Sequence, residues 1–160
     1  MADEDLPELI AQCLDTWKLP GQRFTFELTE SALLVDRNTG LSIMQRIRAL
    51  GCRLALDDFG TGYSSLSYLV NLPINEIKID RSFVVAMSDS AESLRVVRTI
   101  VDLTRDLGML PLAEGVEDDD QRSQLLALGC TAAQGYLYSR PLPLAEFIDW
   151  YRKQEKKECH

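Results

Sequence analysis

Histidine is almost absent from this chain: of 160 residues one is histidine, and it is the last, His160. Imidazole acid–base chemistry and histidine-ligated zinc therefore have no internal candidate. The four cysteines, Cys13, Cys52, Cys130 and Cys159, show no close paired spacing. That excludes a zinc signature and a dense disulfide framework, and leaves them as small buried hydrophobes. No apolar run approaches the roughly 18 residues of a membrane-spanning helix. The start, Met1-Ala2-Asp3-Glu4-Asp5, also lacks the basic and apolar regions of a secretory leader, so no membrane segment is expected and the expected location is the cytoplasm. Positive charge is in short supply, with 17 Lys and Arg against 25 Asp and Glu, a formal net charge of -8. Such a chain repels polyanions, so neither DNA nor RNA polymers are expected partners. A phosphate-bearing ligand would need cations between itself and the acids. With no histidine to help, those cations must be held by oxygen, which favours Mg2+, Mn2+ or Ca2+.

What is present reads as an ordinary globular chain, 46% hydrophobic and 26% charged, large enough for a real core and small enough for one domain over residues 1–160. Residues 1–22 form a leading helix, with Asp5 as cap, Pro7 in the first turn, and Leu6, Leu9, Ile10, Cys13, Leu14 and Trp17 at helical spacing. Residues 23–140 then alternate strands and helices, and 141–154 close the chain with a helix expected to bury Leu144, Phe147, Ile148 and Tyr151. Helices are expected over 36–50, 64–69, 90–107 and 119–128. Strands are expected to end near Glu27, Asp57, Lys78 or Asp80, Glu114 and Gln134, the last running over Ala132–Tyr136. One mark recurs: Leu50-Gly51-Cys52, Leu107-Gly108-Met109 and Leu128-Gly129-Cys130 each end a helix and open a strand. The fold class is therefore α/β, about five parallel strands alternating with helices. That is too few for a closed barrel, which takes eight strands.

The chemistry concentrates at Arg53-Leu54-Ala55-Leu56-Asp57-Asp58-Phe59-Gly60-Thr61-Gly62-Tyr63-Ser64-Ser65, where an apolar strand stops at two adjacent carboxylates and enters a glycine-hinged loop. Strand carboxyl ends are where parallel α/β folds keep their sites. Glu27, Asp57, Asp58, Glu114 and Glu117 would converge at that rim with Lys78 among them. Carboxylates crowded together persist only with cations between them. Two-metal hydrolysis of a phosphate ester is the natural use of such a set.

Glu27-Leu28-Thr29-Glu30-Ser31, Asp57 to Ser65, Ile77-Lys78-Ile79-Asp80, Ala113-Glu114-Gly115-Val116-Glu117 and Gln134-Gly135-Tyr136 resemble successive motifs of the bacterial EAL domain, in order and over nearly the whole chain. That family folds as a modified TIM barrel. It hydrolyses the signalling dinucleotide cyclic di-GMP to linear pGpG with Mg2+ or Mn2+. The resemblance implies metal ligation by Glu27, Asp57, Asp58 and Glu114, and catalytic parts for Lys78, Glu114, Glu117 and Gln134. Lys78 would contact the attacking water and the phosphate, while Glu30, Gly60 and Gly62 would support the loop after the acid pair. It names no substrate-binding residue in this chain.

The family's Glu-Ala-Leu segment, a nearby arginine and an asparagine-bearing strand belong before Glu27. The 26 residues that precede Glu27 contain neither Glu-Ala-Leu nor asparagine, and their one arginine, Arg23, has no Glu-Ala-Leu segment beside it. The expected architecture is thus a partial TIM-like (β/α) barrel lacking the first strands, with an incomplete two-metal site. Two functions are open: weak or absent cyclic di-GMP phosphodiesterase activity in this chain alone, or a non-catalytic module that binds the nucleotide, metal or a partner. A receiver-type phosphoacceptor domain also pairs acids with a lysine. It fits poorly, because strands flank both features here. Exposed strand edges predict a homo-oligomer or a partner domain.

Overall fold

The computed structural model describes residues 3–29, 37–60 and 69–158, except the side chains of 37 and 155–158. Five strands, β1 (Thr25–Thr29), β2 (Arg53–Phe59), β3 (Glu76–Ile79), β4 (Leu110–Ala113) and β5 (Ala132–Ala133), form one parallel sheet in the order of the chain. Each crossover leads to the next strand, and crossovers between parallel strands are right-handed. The helices therefore gather on one face of the sheet, as in a barrel wall and unlike a doubly wound sheet. Among the described residues the wall is open: β1 pairs with β2 alone, and β5 with β4 alone.

Alternation along the strands explains the two faces. Leu54, Leu56, Ile77, Ile79 and Ala113 point to the helix side and are fully buried, with Phe26 and Leu28 half-buried at the β1 edge. They pack on α2 (Arg37–Ala49) through Ile43, Met44 and Ile47, and on α4 (Ala91–Asp106) through Val97, Ile100 and Val101. Thr104, also fully buried on α4, donates its hydroxyl to the Val101 carbonyl at 2.8 Å, which removes the cost of an unpaired polar group. α1 (Leu6–Trp17) adds Ile10 against α2. The registers Glu27 beside Ala55, Thr29 beside Asp57, Ala55 beside Glu76, Lys78 beside Leu112 and Leu112 beside Ala132 put the polar strand-end residues together on the other face.

The three Leu-Gly marks work as expected. Gly51, Gly108 and Gly129 have φ of +82°, +68° and +90°, where a side chain is strained. α5 (Asp119–Leu128) has the expected bounds, with the Asp118 side chain accepting from the Gln121 N–H at 2.8 Å.

Several expectations need correction. Asp5 makes no side-chain cap; its own N–H donates to Asp3 Oδ1 at 3.0 Å instead. Asp80 does not extend β3: its carboxylate accepts from the Ser82 N–H at 2.9 Å and starts a short helix, α3 (Arg81–Ala86), that alternation did not predict. β5 stops at Ala133 because Gly135 lies directly against the Val116 backbone and the ladder becomes irregular there. α6 (Leu144–Glu158) forms, but Leu144, Phe147, Ile148 and Tyr151 are exposed, Leu144 at 75%. Cys13 is exposed, while Cys52 and Cys130 are buried and burial pushes both thiols up, so they stay protonated. Cys159 and most of the expected 64–69 helix lie outside the described residues.

Truncating a side chain in the sheet–helix layer should therefore cost far more than truncating one outside it. Leu56→Ala is expected to lower unfolding stability by about 3 kcal/mol. Leu126→Ala, on an exposed position of α5, is expected to stay within about 0.5 kcal/mol. Urea denaturation of both variants checks the contrast.

Candidate functional site

The site is assembled at the carboxyl ends of β1 to β4, beginning where β2 loses its regularity. Pairing between β2 and β3 slips between Leu56 and Phe59, and Asp58 sits at φ +56°, a left-handed conformation that costs a non-glycine residue about 1–2 kcal/mol. Aspartate is among the residues that tolerate it best, and the Asp58 N–H donates to Asp57 Oδ1 at 3.1 Å. This bulge separates the neighbours: Asp57 is half-buried at the sheet face, and Asp58 is exposed. Gly60 follows at φ +100°. A Cβ there would lie 3.2 Å from the Phe83 ring and 3.3 Å from Ile100 Cδ1, a tight fit, and the angle itself favours glycine.

Lys78, from the middle of β3, is the centre of the site. It is 4% exposed, and its Nζ lies 2.7 Å from Glu114 Oε1, 2.8 Å from Glu27 Oε2 and 3.0 Å from Asp57 Oδ1. An ammonium has three N–H donors, and each has a carboxylate from a different strand end. Burial by itself pulls the Lys78 pKa down. Hydrogen bonds to Glu114, Glu27 and Asp57 outweigh that, so the group is held well above the ordinary lysine value and stays charged. Glu114 Oε1 also accepts from Gln134 Nε2 at 2.6 Å.

The remaining expected residues divide. Glu117 is not among the partners of Lys78: it faces Arg81, whose Nη2 lies 2.6 Å from Glu117 Oε1, and its N–H donates to the Gln121 side chain at 2.7 Å. Glu30 and Gly62 lie outside the described residues. Beside Glu114 and Gln134 opens a cleft of about 540 Å³, also lined by Arg81, Glu117, Tyr136, Arg140 and Trp150. The Arg140 guanidinium stands 4.3 Å from the centre of the Tyr136 ring, and Phe147 stacks on Trp150 with ring centres 6.0 Å apart. Sequence reasoning did not single out Arg81, Arg140 or Trp150. Arg81 directly follows Asp80, an expected strand end, and was in reach of it. The other two come from the closing segment and meet the site only through the fold.

Among the described residues, no three acidic or thiol side chains stand as a preformed cation cage. The donor set is nevertheless of the right kind. Three carboxylate oxygens converge within 3.0 Å of one positively charged nitrogen, all hard oxygen donors directed at a single cation.

A parallel sheet wound in one direction, with carboxylates from β1, β2 and the end of β4 closing on a β3 lysine, defines a partial (β/α) barrel with a charged cluster at its carboxyl rim. The chain belongs to the EAL-domain family, whose profile matches residues 1–141. It is 43% identical over 145 residues to the cyclic di-GMP phosphodiesterase RocR of Pseudomonas aeruginosa, covering 91% of this chain and 37% of that protein. It superposes on the cyclic di-GMP complex of the Pseudomonas aeruginosa MucR phosphodiesterase with a TM-score of 0.87 and 38% identity, over 91% of this chain and 59% of that one. With the manganese and cyclic di-GMP complex of Klebsiella pneumoniae BlrP1 the TM-score is 0.77 at 31% identity, over 84% of this chain and 35% of that one. The chain thus spans less than two thirds of each of these relatives.

The raised Lys78 pKa carries a signed consequence for the chelator-treated protein. A group whose folded pKa is raised stabilises fully below its unfolded value, about 10.4 for lysine, and loses that contribution as pH rises from there towards the folded value. Above roughly pH 10.4, the wild-type chain should lose stability with pH more steeply than Lys78→Met. Urea midpoints across that range, measured for both proteins, check the difference in slope.

Proposed function

We propose that this chain provides a cyclic di-GMP phosphodiesterase site of the EAL type, hydrolysing the cyclic dinucleotide to linear pGpG with Mg2+ or Mn2+. The observation that carries the reading is the convergence of Glu27, Asp57 and Glu114 on one buried cation, Lys78, at the carboxyl rim of the sheet. Likeness to RocR, MucR and BlrP1, named for cyclic di-GMP or bound to it, supports the substrate. A bound Mg2+ or Mn2+ supplies charge neutralisation at the phosphodiester and lowers the pKa of its water. Glu27, Asp57, Asp58 and Glu114 are the proposed ligands. Lys78, whose three N–H donors are held by Glu27, Asp57 and Glu114, would turn to the attacking water and a phosphate oxygen once those carboxylates hold a cation. Gln134 fixes the Glu114 carboxylate through its 2.6 Å hydrogen bond, and Glu117 holds Arg81 at the cleft. Arg81 and Arg140 suit phosphate, and Tyr136 and Trp150 offer ring faces to a base. Gly60, at φ +100°, supports the turn of the backbone out of the acid pair. Water adds to phosphorus as the bond to the 3′ oxygen breaks, and that oxygen leaves with a proton.

The 160 residues include no Glu-Ala-Leu segment. The second reading follows from that: the chain alone binds nucleotide or metal, or completes a partner, with little turnover. Both readings share the site and differ in rate, since missing metal supports cost at least 10–100-fold. Incubation with cyclic di-GMP and Mn2+, followed by chromatography of pGpG, separates them. We expect turnover at least about 100-fold below that of RocR assayed alongside, lost altogether in Asp57→Asn. Turnover equal to RocR would remove the impairment, and a chain that neither binds nor cleaves the nucleotide would remove the phosphodiesterase reading.

The open edge of β1 and the exposed apolar residues of α6 favour cover by a second copy or a partner domain. Sedimentation at tens of micromolar is expected to show self-association. A monodisperse monomer would contradict it.

A further inference from the structure

We propose that Lys78 is a built-in competitor for the divalent cation: its ammonium occupies one oxygen of each of three carboxylates that the cation would use, so it sets the metal affinity of the site as well as serving the phosphate. This rests on the metal reading above. Three observations carry it. The Nζ of Lys78 makes direct contact with one oxygen of each proposed ligand Glu27, Asp57 and Glu114, at 2.8, 3.0 and 2.7 Å. Lys78 is 4% exposed, so its charge has no solvent to retreat into without a change of rotamer. Glu114 Oε1 already accepts from both Lys78 and Gln134, so a cation at that oxygen displaces one of them.

The electrostatics give the direction. With Lys78 charged, the cluster of three carboxylates keeps a net of two negative charges; without it, three. A divalent cation held at about 2.0–2.2 Å from these oxygens stands a few ångströms from the ammonium, at a distance where like charges repel strongly in a partly buried site. The opposite role is a preorganising one, in which Lys78 gathers carboxylates that would otherwise splay apart. The two roles predict opposite signs for the same substitution.

Titration calorimetry of the chelator-treated chain with Mn2+ decides between them, with Lys78→Met and Lys78→Gln beside the wild type. The glutamine keeps amide donors for the carboxylates while removing the charge, and carries the test where the methionine variant fails to fold. We expect each folded variant to bind Mn2+ at least about tenfold more tightly than the wild type. Each should also melt at a lower temperature than the wild type without metal and gain more on Mn2+ addition. Variants that bind Mn2+ equally or more weakly than a wild type that does bind it overturn the competition and leave the metal site standing. If neither wild type nor variants bind Mn2+, this inference and the metal reading fall together.

Discussion

Everything that distinguishes this chain from a generic layer of strands and helices depends on one interaction, the buried ammonium of Lys78 shared by carboxylates from three other strands. Three acids this close repel one another. Their company is stable only with positive charge among them, and Lys78 is that charge. The price of burying it is met by satisfying every N–H it has. The pairing also ties the carboxyl ends of β1, β2, β3 and β4 to one point, although β1, at the edge of the described sheet, has three of its five residues exposed.

The open sheet is what makes this arrangement both possible and incomplete as a surface. Sequential parallel crossovers send the helices between strands to one side, so the apolar residues of each strand have a place to pack and the polar ones are left on the other side. In a closed barrel that second face becomes the interior. Here Thr25, Glu27 and Thr29 remain exposed along β1, and Leu110 is 47% exposed at the start of β4. The same layout places the aromatic and basic residues of the closing segment beside Glu114 and Gln134, where they line one side of a cleft.

Much of this was legible from the chain itself. The Leu-Gly pattern at residues 51, 108 and 129 marks helix ends because only glycine enters left-handed backbone without strain, and all three positions have positive φ. An apolar run ending in Asp57-Asp58 marks a strand end with chemistry, and the period of two puts Lys78 opposite the helix-packed Ile77 and Ile79. What was not legible depended on distant parts of the fold. A 3.6-residue period shows that α6 has an apolar face, but says nothing about whether another element covers it, and none of Leu144, Phe147, Ile148 and Tyr151 is buried. Asp80 reads from the chain as a strand end, and only its hydrogen bond to the Ser82 N–H shows it to be the cap of a helix. The bulge that sends Asp57 and Asp58 to different surroundings, and the pairing of Arg81 with Glu117 across 36 positions, have no local signature.

The central claim is that Glu27, Asp57 and Glu114 form the cation-holding rim of an EAL-type phosphodiesterase site. Anomalous diffraction at the manganese edge, from crystals of this chain grown with Mn2+, tests it most directly. The account predicts a manganese peak at ligand distance from the carboxylate oxygens of these residues, with Lys78 withdrawn from at least one of them. Manganese ordered elsewhere, or none within reach of these carboxylates, would contradict it.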